Sequence, residues 1–148
     1  MRILALDLGD VRIGVALSDE TETLATGLKT LQSFGPRKDA QAISALVREH
    51  EVGEVVVGMP WRLDGSLGPQ GERVTAFVER LRRSLRVPVA LWDERLSSVA
   101  ADELLAEAGV RRRDRKSRID RAAATLILQG YLDARKGAAP ASGASGAW

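Results

Sequence analysis

Two short apolar stretches lie near the start of the chain, and in the second of them apolar residues alternate with small or polar ones. Ile3, Leu4 and Leu6 mark the first, and Ile13, Val15 and Leu17 mark the second. A period of two predicts strands, and Gly9 between them sits where the chain must reverse. Gly14 lies early in the second strand, where a glycine often marks close approach by another backbone or a ligand. After a polar turn at residues 20–23, a third short strand is expected over Leu24–Leu31, completing an antiparallel meander. Gly35 and Pro36 then open a helix running to about His50, with Ile43, Leu46, Val47 and His50 on one face. His50, at the end of that face, reads as a packed or capping residue, and Gly53 is expected to stop the helix.

Val55, Val56 and Val57 form a continuous apolar run, the pattern of a strand covered on both faces, which Gly58 and Pro60 should end. Asp64-Gly65-Ser66 is a turn signal. Pro69 suits the first turn of a second helix, whose stripe is Val74, Phe77, Val78, Leu81 and Leu85. Val89–Trp92 makes a fifth strand. A third helix, capped by Ser97 or Ser98, closes at Gly109, and a last one starts near Ser117 or Ile119 and runs to about Arg135. The order β-β-β-α-β-α-β-α-α predicts an α/β fold: a five-stranded mixed sheet, an antiparallel meander plus two parallel strands, with helices on both faces. Residues 1–136 read as one domain. Residues 137–148 are Gly, Ala, Ser and Pro with a terminal Trp, the composition of a flexible tail.

Composition narrows the chemistry. The chain of 148 residues has no cysteine and one histidine, which excludes disulfides, thiolate metal sites and His-rich metal sites. Any metal would be held by carboxylates, which suits hard ions such as Mg²⁺ or Mn²⁺. No apolar run approaches membrane-spanning length and the N-terminus resembles no signal peptide, so a cytoplasmic protein is expected. The formal charge is only +2, so the placement of bases matters more than their sum.

Three acids stand out. Asp7 ends an otherwise apolar strand, where a carboxylate is costly to desolvate unless something positive meets it. Glu94 follows the fifth strand directly. Asp120 precedes Ala124, Ile127 and Tyr131 at helical spacing, on the apolar stripe of the last helix. If strands one, four and five are parallel neighbours, Asp7 and Glu94 meet at their carboxyl edge, where ligands bind in such sheets. A last helix laid across the sheet would add Asp120. Three converging carboxylates repel unless cations lie between them. Two divalent ions about 3.5–4 Å apart can activate a water and stabilise the leaving oxygen of a phosphodiester. Each acid also has a local reading. Asp7 opens its turn, Glu94 pairs with Arg95 or Arg12, and Asp120 completes a capping pattern with Ser117. Asp93 and Asp64 compete for a site role, although Asp64 fits its turn with Gly65. The run RRRDRKSR holds Arg111, Arg112, Arg113, Arg115, Lys116 and Arg118 and leads straight into Asp120. Guanidinium groups grip phosphates bidentately, so this loop favours nucleic-acid contact over a merely solvated face.

The motifs LDLGDVRIGVALSD, VVVGMPWRLDGSLG, VPVALWDERLSS and IDRAAATLILQGYLD, in this order, resemble the YqgF/RuvX family of the RNase H-like superfamily. That family is described as Holliday junction resolvases or pre-16S rRNA nucleases. The resemblance covers about residues 1–134. It implies an RNase H-like fold, with Asp7, Glu94 and Asp120 at the family's catalytic and metal-binding positions. It also implies Mg²⁺ or Mn²⁺ and a phosphodiester substrate. Arg12, Gly14, Gly58, Asp64, Gly65, Asp93 and Arg95 fall within the family's signature blocks. Trp61-Arg62 departs from the family's usual Leu-Asn type pair after the Gly-x-Pro, so substrate preference is expected to differ.

The expected activity is a metal-dependent nuclease in maturation of the 16S rRNA precursor at its 5′ end. Arg12, Arg95 and the Arg111–Arg118 run would hold phosphates of structured RNA. Two alternatives remain: a resolvase of branched DNA, which would act as a symmetric homodimer, and a non-catalytic nucleic-acid-binding factor.

Overall fold

The computed structural model describes residues 1–62, 64–93 and 122–135. Its elements are β1 (Arg2–Leu8), β2 (Arg12–Ser18), β3 (Ala25–Gln32), α1 (Pro36–Glu49), β4 (Val52–Met59), α2 (Pro69–Ser84) and β5 (Val89–Asp93). A further helix, α3, covers residues 122–135. The strands form one sheet in the order β3-β2-β1-β4-β5. β2 pairs antiparallel with both β1 and β3, while β4 runs parallel to both β1 and β5. The expected meander and the two parallel crossovers are both present, and β1 is central.

Strand alternation divides the core between the two faces of the sheet. Leu4, Leu6, Val55 and Val57 point to one side and pack with Ile43, Leu46, Val74, Val78 and Leu81 of α1 and α2. Ile3, Ala5, Ala16 and Val56 point to the other and pack with Ala124, Ile127, Leu128 and Leu132 of α3. Neighbouring residues of β1 and β4 therefore serve opposite cores, which is why those strands read as unbroken apolar runs rather than alternating ones. Burying each large aliphatic side chain stabilises the fold by roughly 1.5–3 kcal/mol.

Two expected boundaries differ. Gly53 does not stop α1. His50 is the C-cap, with its N–H bonded to the Leu46 carbonyl at 3.0 Å. The chain reverses at Glu51, which has a φ of 53°. Gly53 lies inside β4 and accommodates the Met1 side chain, whose Sδ would be 2.3 Å from a Cβ at that position. Gly58 is also within β4, which ends only at Met59 before Pro60. The corner between β3 and α1 is fastened by the buried Asp39. Its carboxylate accepts from Ser33 Oγ at 2.6 Å and from the Phe34 N–H at 2.8 Å. The helix expected between Ser97 or Ser98 and Gly109, the start of the last helix, and the tail 137–148 lie outside the described residues. No helix among the described residues is long and apolar enough to cross a membrane.

α3 is tied down by polar contacts as well as by its apolar stripe. The Gln129 Oε1 accepts from the Ala25 N–H at 3.0 Å, and its Nε2 donates to the Thr23 carbonyl at 3.0 Å. Tyr131 Oη donates to Glu54 Oε2 at 2.6 Å, and Arg135 Nη1 donates to Glu54 Oε1 at 2.9 Å. Gly130 lies against Trp92, whose ring meets Tyr131 edge to face at 5.7 Å. Burial, reinforced by the bond to Glu54, pushes the Tyr131 phenol up to about 12. An unfolded tyrosine titrates near about 10. This group's contribution to stability is thus complete below the unfolded value and is lost as pH rises toward the folded one. Tyr131 is the single tyrosine, so ultraviolet absorbance reads it alone. Titration of the folded protein is expected to show a late tyrosinate transition that moves down on unfolding; a transition already complete near the ordinary value would refute the contact with Glu54.

Candidate active site

Asp7 is the penultimate residue of β1, at the carboxyl edge shared by the parallel strands β1, β4 and β5. It lies on the face that carries Ile3 and Ala5, the α3 side, and is only 9% exposed. Its partner on β2 is Gly14. On the other side Leu6 pairs with Val57, so Gly58 is the next residue of β4 beside it, and Gly58 in turn pairs with Trp92. The carboxylate is therefore flanked across the sheet by two residues without side chains. A glycine within a strand often marks a close approach by another backbone or a ligand.

The end of β1 is held on several sides. The Gly9 N–H donates to the Arg12 carbonyl at 2.9 Å, closing the β1–β2 turn. A Cβ on Gly9 would lie 2.8 Å from that carbonyl oxygen, so glycine is required there. The first turn of α2 reaches the same place: Gln70 Nε2 donates to the Leu8 carbonyl at 2.9 Å, and Arg73 pairs with Asp10 at 2.5 Å. These bonds fix the strand end that presents Asp7 without using the Asp7 carboxylate.

Arg12 opens β2 and shares its face with Gly14, so it belongs to the same face and edge as Asp7. Asp93 does not. It follows Trp92 in β5, on the alternate side occupied by Val89 and Leu91, which face α1 and α2. Asp64 makes its turn: its carboxylate accepts from Ser66 Oγ at 2.6 Å and from the Ser66 N–H at 2.9 Å. Those bonds hold the Asp64 carboxyl below the usual carboxylate range. Arg62, from the departing Trp61-Arg62 pair, lies across Gly68, where a Cβ would be 2.6 Å from its Nε. His50 caps α1 and sits 3.3 Å from Glu49, at the opposite edge of the sheet from Asp7.

Glu94, Arg95, Asp120 and the basic residues Arg111, Arg112, Arg113, Arg115, Lys116 and Arg118 lie outside the described residues. Among the described residues no three acidic or histidine side chains come together as a metal cage. Asp7 by itself fits one corner of such a cage: an oxygen donor of the kind hard cations take, nearly buried at the carboxyl edge of the sheet. The orientation of α3 suits a second corner. Its C-terminal half is tied to the amino-terminal ends of β3 and β4 through Gln129 and Arg135. Its other end is therefore directed away from that edge.

Reading the sequence missed Gly58 as a neighbour of Asp7, treating it as a strand end. The signal was present in Val55-Val56-Val57-Gly58: a glycine continuing a two-sided apolar strand marks a close approach rather than a stop.

Comparison with known proteins identifies the family and the fold. The family model RuvX, described as Holliday junction resolvase, matches residues 1–134. A protein of Thermoanaerobacter pseudethanolicus named "Putative pre-16S rRNA nuclease" is 48% identical over 137 residues, covering 92% of this chain and 99% of its own length. A protein of Halothermothrix orenii with the same name is 49% identical, covering 90% and 95%. Among solved structures, RuvC of T. thermophilus in complex with a Holliday junction substrate superposes with a TM-score of 0.60 at 15% identity, covering 93% of this chain and 97% of that one. The fowlpox virus resolvase bound to Holliday junction DNA gives a TM-score of 0.58 at 10% identity, covering 90% and 98%. At these identities the two structures speak for the fold, which is that of RuvC-like nucleases.

Proposed function

The chain belongs to the RuvX family, and from that premise we propose that it is a metal-dependent nuclease that hydrolyses phosphodiester bonds in structured RNA, acting on the 16S rRNA precursor at its 5′ end in the cytoplasm. The observation that carries this reading is Asp7: a nearly buried carboxylate at the carboxyl edge of three parallel strands, flanked by Gly14 and Gly58. Asp7, with Glu94 and Asp120, would hold Mg²⁺ or Mn²⁺. In sequence, Glu94 directly follows the last residue of β5, and Asp120 lies two residues ahead of the described part of α3. Such ions, when bound, supply an activated water and charge stabilisation at the leaving oxygen.

The remaining roles belong to the chain itself. Arg12 on the Asp7 face, Arg95, and the Arg111–Arg118 run grip phosphates and align the scissile bond. Gly14 and Gly58 allow the backbone of the substrate to approach Asp7 without steric conflict. Hydrolysis adds water across one P–O bond, leaving a phosphate on one end and a hydroxyl on the other.

Purified protein incubated with a precursor rRNA end, single-stranded RNA and a four-way DNA junction tests the reading. Mg²⁺, Mn²⁺ and chelator are the three conditions. Metal-dependent cutting of the precursor RNA is expected. Paired cutting of the junction alone, by a dimer, would replace this reading with a resolvase. Binding without cutting under either metal would replace it with a non-catalytic factor.

A further inference from the structure

α1 carries Arg37, Gln41, Ser44 and Arg48 at spacings of four, three and four, which places them in one row along the helix. α2 carries Arg80 and Ser84 one turn apart. The two rows face each other and line a cleft of about 260 Å³ between the helices, on the side of the sheet opposite Asp7. No acidic side chain lines it.

The arginines of this cleft differ from others in the fold. Arg2, Arg73, Arg82 and Arg135 each reach a carboxylate. Arg48 finds only a hydroxyl, donating from Nη1 to Ser44 Oγ at 3.3 Å. Arg37, Arg48 and Arg80 form no ion pair among the described residues, and Arg80 is half-buried. Three guanidinium groups around one cleft repel one another, and the half-buried one is partly desolvated as well. An anion with several oxygens removes both costs, and guanidinium geometry matches phosphate. The Ser44 hydroxyl, which accepts from Arg48, keeps its own O–H as a donor of the kind that contacts nucleic-acid backbones, whereas Ser84 Oγ donates to the Arg80 carbonyl at 3.0 Å.

The cleft also begins in the right place. α1 starts beside the carboxyl edge, because the Ser33 N–H just before it donates to the Val11 carbonyl in the β1–β2 turn at 2.9 Å. Arg37 is in its first turn, and Arg48 lies about 16 Å farther along the axis. A strand passing the edge that bears Asp7 meets Arg37 first and then has a basic track leading away.

We propose that the α1–α2 cleft is a second phosphate-backbone site, through which the protein holds structured RNA around the edge of the sheet and beyond the scissile bond. This deepens the nuclease reading, and rests on it, by specifying the substrate: an extended, folded RNA rather than a short single strand.

The test is binding in chelator, where no cleavage is needed, over a range of salt. The probes are a structured precursor-end RNA and a short oligonucleotide spanning only the cleavage site. Arg37→Gln combined with Arg80→Gln is expected to weaken binding of the structured RNA by roughly tenfold and to flatten its log–log salt dependence by about 2. Binding and cutting of the short oligonucleotide should be unchanged. Arg83→Gln with Arg86→Gln removes the same charge outside the cleft and should flatten the slope less. An unchanged slope for the first pair, or equal effects of both pairs, would overturn the proposal. If wild type cuts nothing while the first pair still flattens the slope, the cleft stands and the nuclease reading falls.

Discussion

Asp7→Asn is expected to remove metal-dependent cleavage, by on the order of 10³-fold or more, since a bound ion supplies several kcal/mol of transition-state stabilisation and each 1.4 kcal/mol is about tenfold. Asn fills the same volume and keeps a carbonyl oxygen, so the substitution isolates the negative charge. The position is 9% exposed and sits between Gly14 and Gly58. RNA binding in chelator should survive, which separates loss of the chemistry from loss of the substrate. Cleavage at the parental rate by a folded Asn variant would remove Asp7 from the site and with it the three-acid mechanism.

Ile127→Ala is expected to cost about 3 kcal/mol of folding stability, within the range for burying a cavity at a large aliphatic position. Ile127 is 0% exposed and lies at the centre of the α3-side cluster with Ile3, Ala5 and Val56. Its neighbours include alanines, which have no side chain long enough to fill the space left behind. Urea unfolding should show a lower midpoint with an unchanged slope. A loss under about 1 kcal/mol would mean that the cluster collapses around the cavity and that α3 is held mainly by its polar contacts. The same variant bears on function, because α3 is the element that Asp120 immediately precedes. A loosened helix should lower cleavage before the rest of the fold is affected.

The elements most legible in the sequence were those with a simple burial period. The apolar run of β1, the alternation in β2, the triple valine of β4 and the stripe of α2 each announce an element whose neighbours are not needed to recognise it. Gly53 shows where that approach stops. A glycine near the end of an apolar helical face reads as a helix stop. In the structure the reversal occurs at Glu51, and the Met1 side chain packs onto Gly53. That contact joins residues far apart in the chain and leaves no local trace. Asp7 was legible because a polar residue breaks an apolar strand. The significance of Gly58 and the exclusion of Asp93 were not, because both depend on the parallel register between β1, β4 and β5. The α1–α2 cleft was equally hidden: four residues of one helix and two of another become a site only when the helices lie side by side. Glu94, Asp120 and the basic run rest on the sequence pattern and the family.

The central position of β1 has a consequence for synthesis. β1 is made first, and the hairpin with β2 covers one of its edges at once. The other edge is left open until β4 has been made. At ribosomal elongation rates that interval is on the order of seconds, long compared with the microseconds in which a hairpin forms. During it an apolar strand has unsatisfied N–H and C=O groups along one side, and a nascent chain in that condition is a substrate for chaperones. The α3 face closes later still, when the last described helix emerges. A nascent chain therefore carries Asp7 without its helix until α3 has emerged.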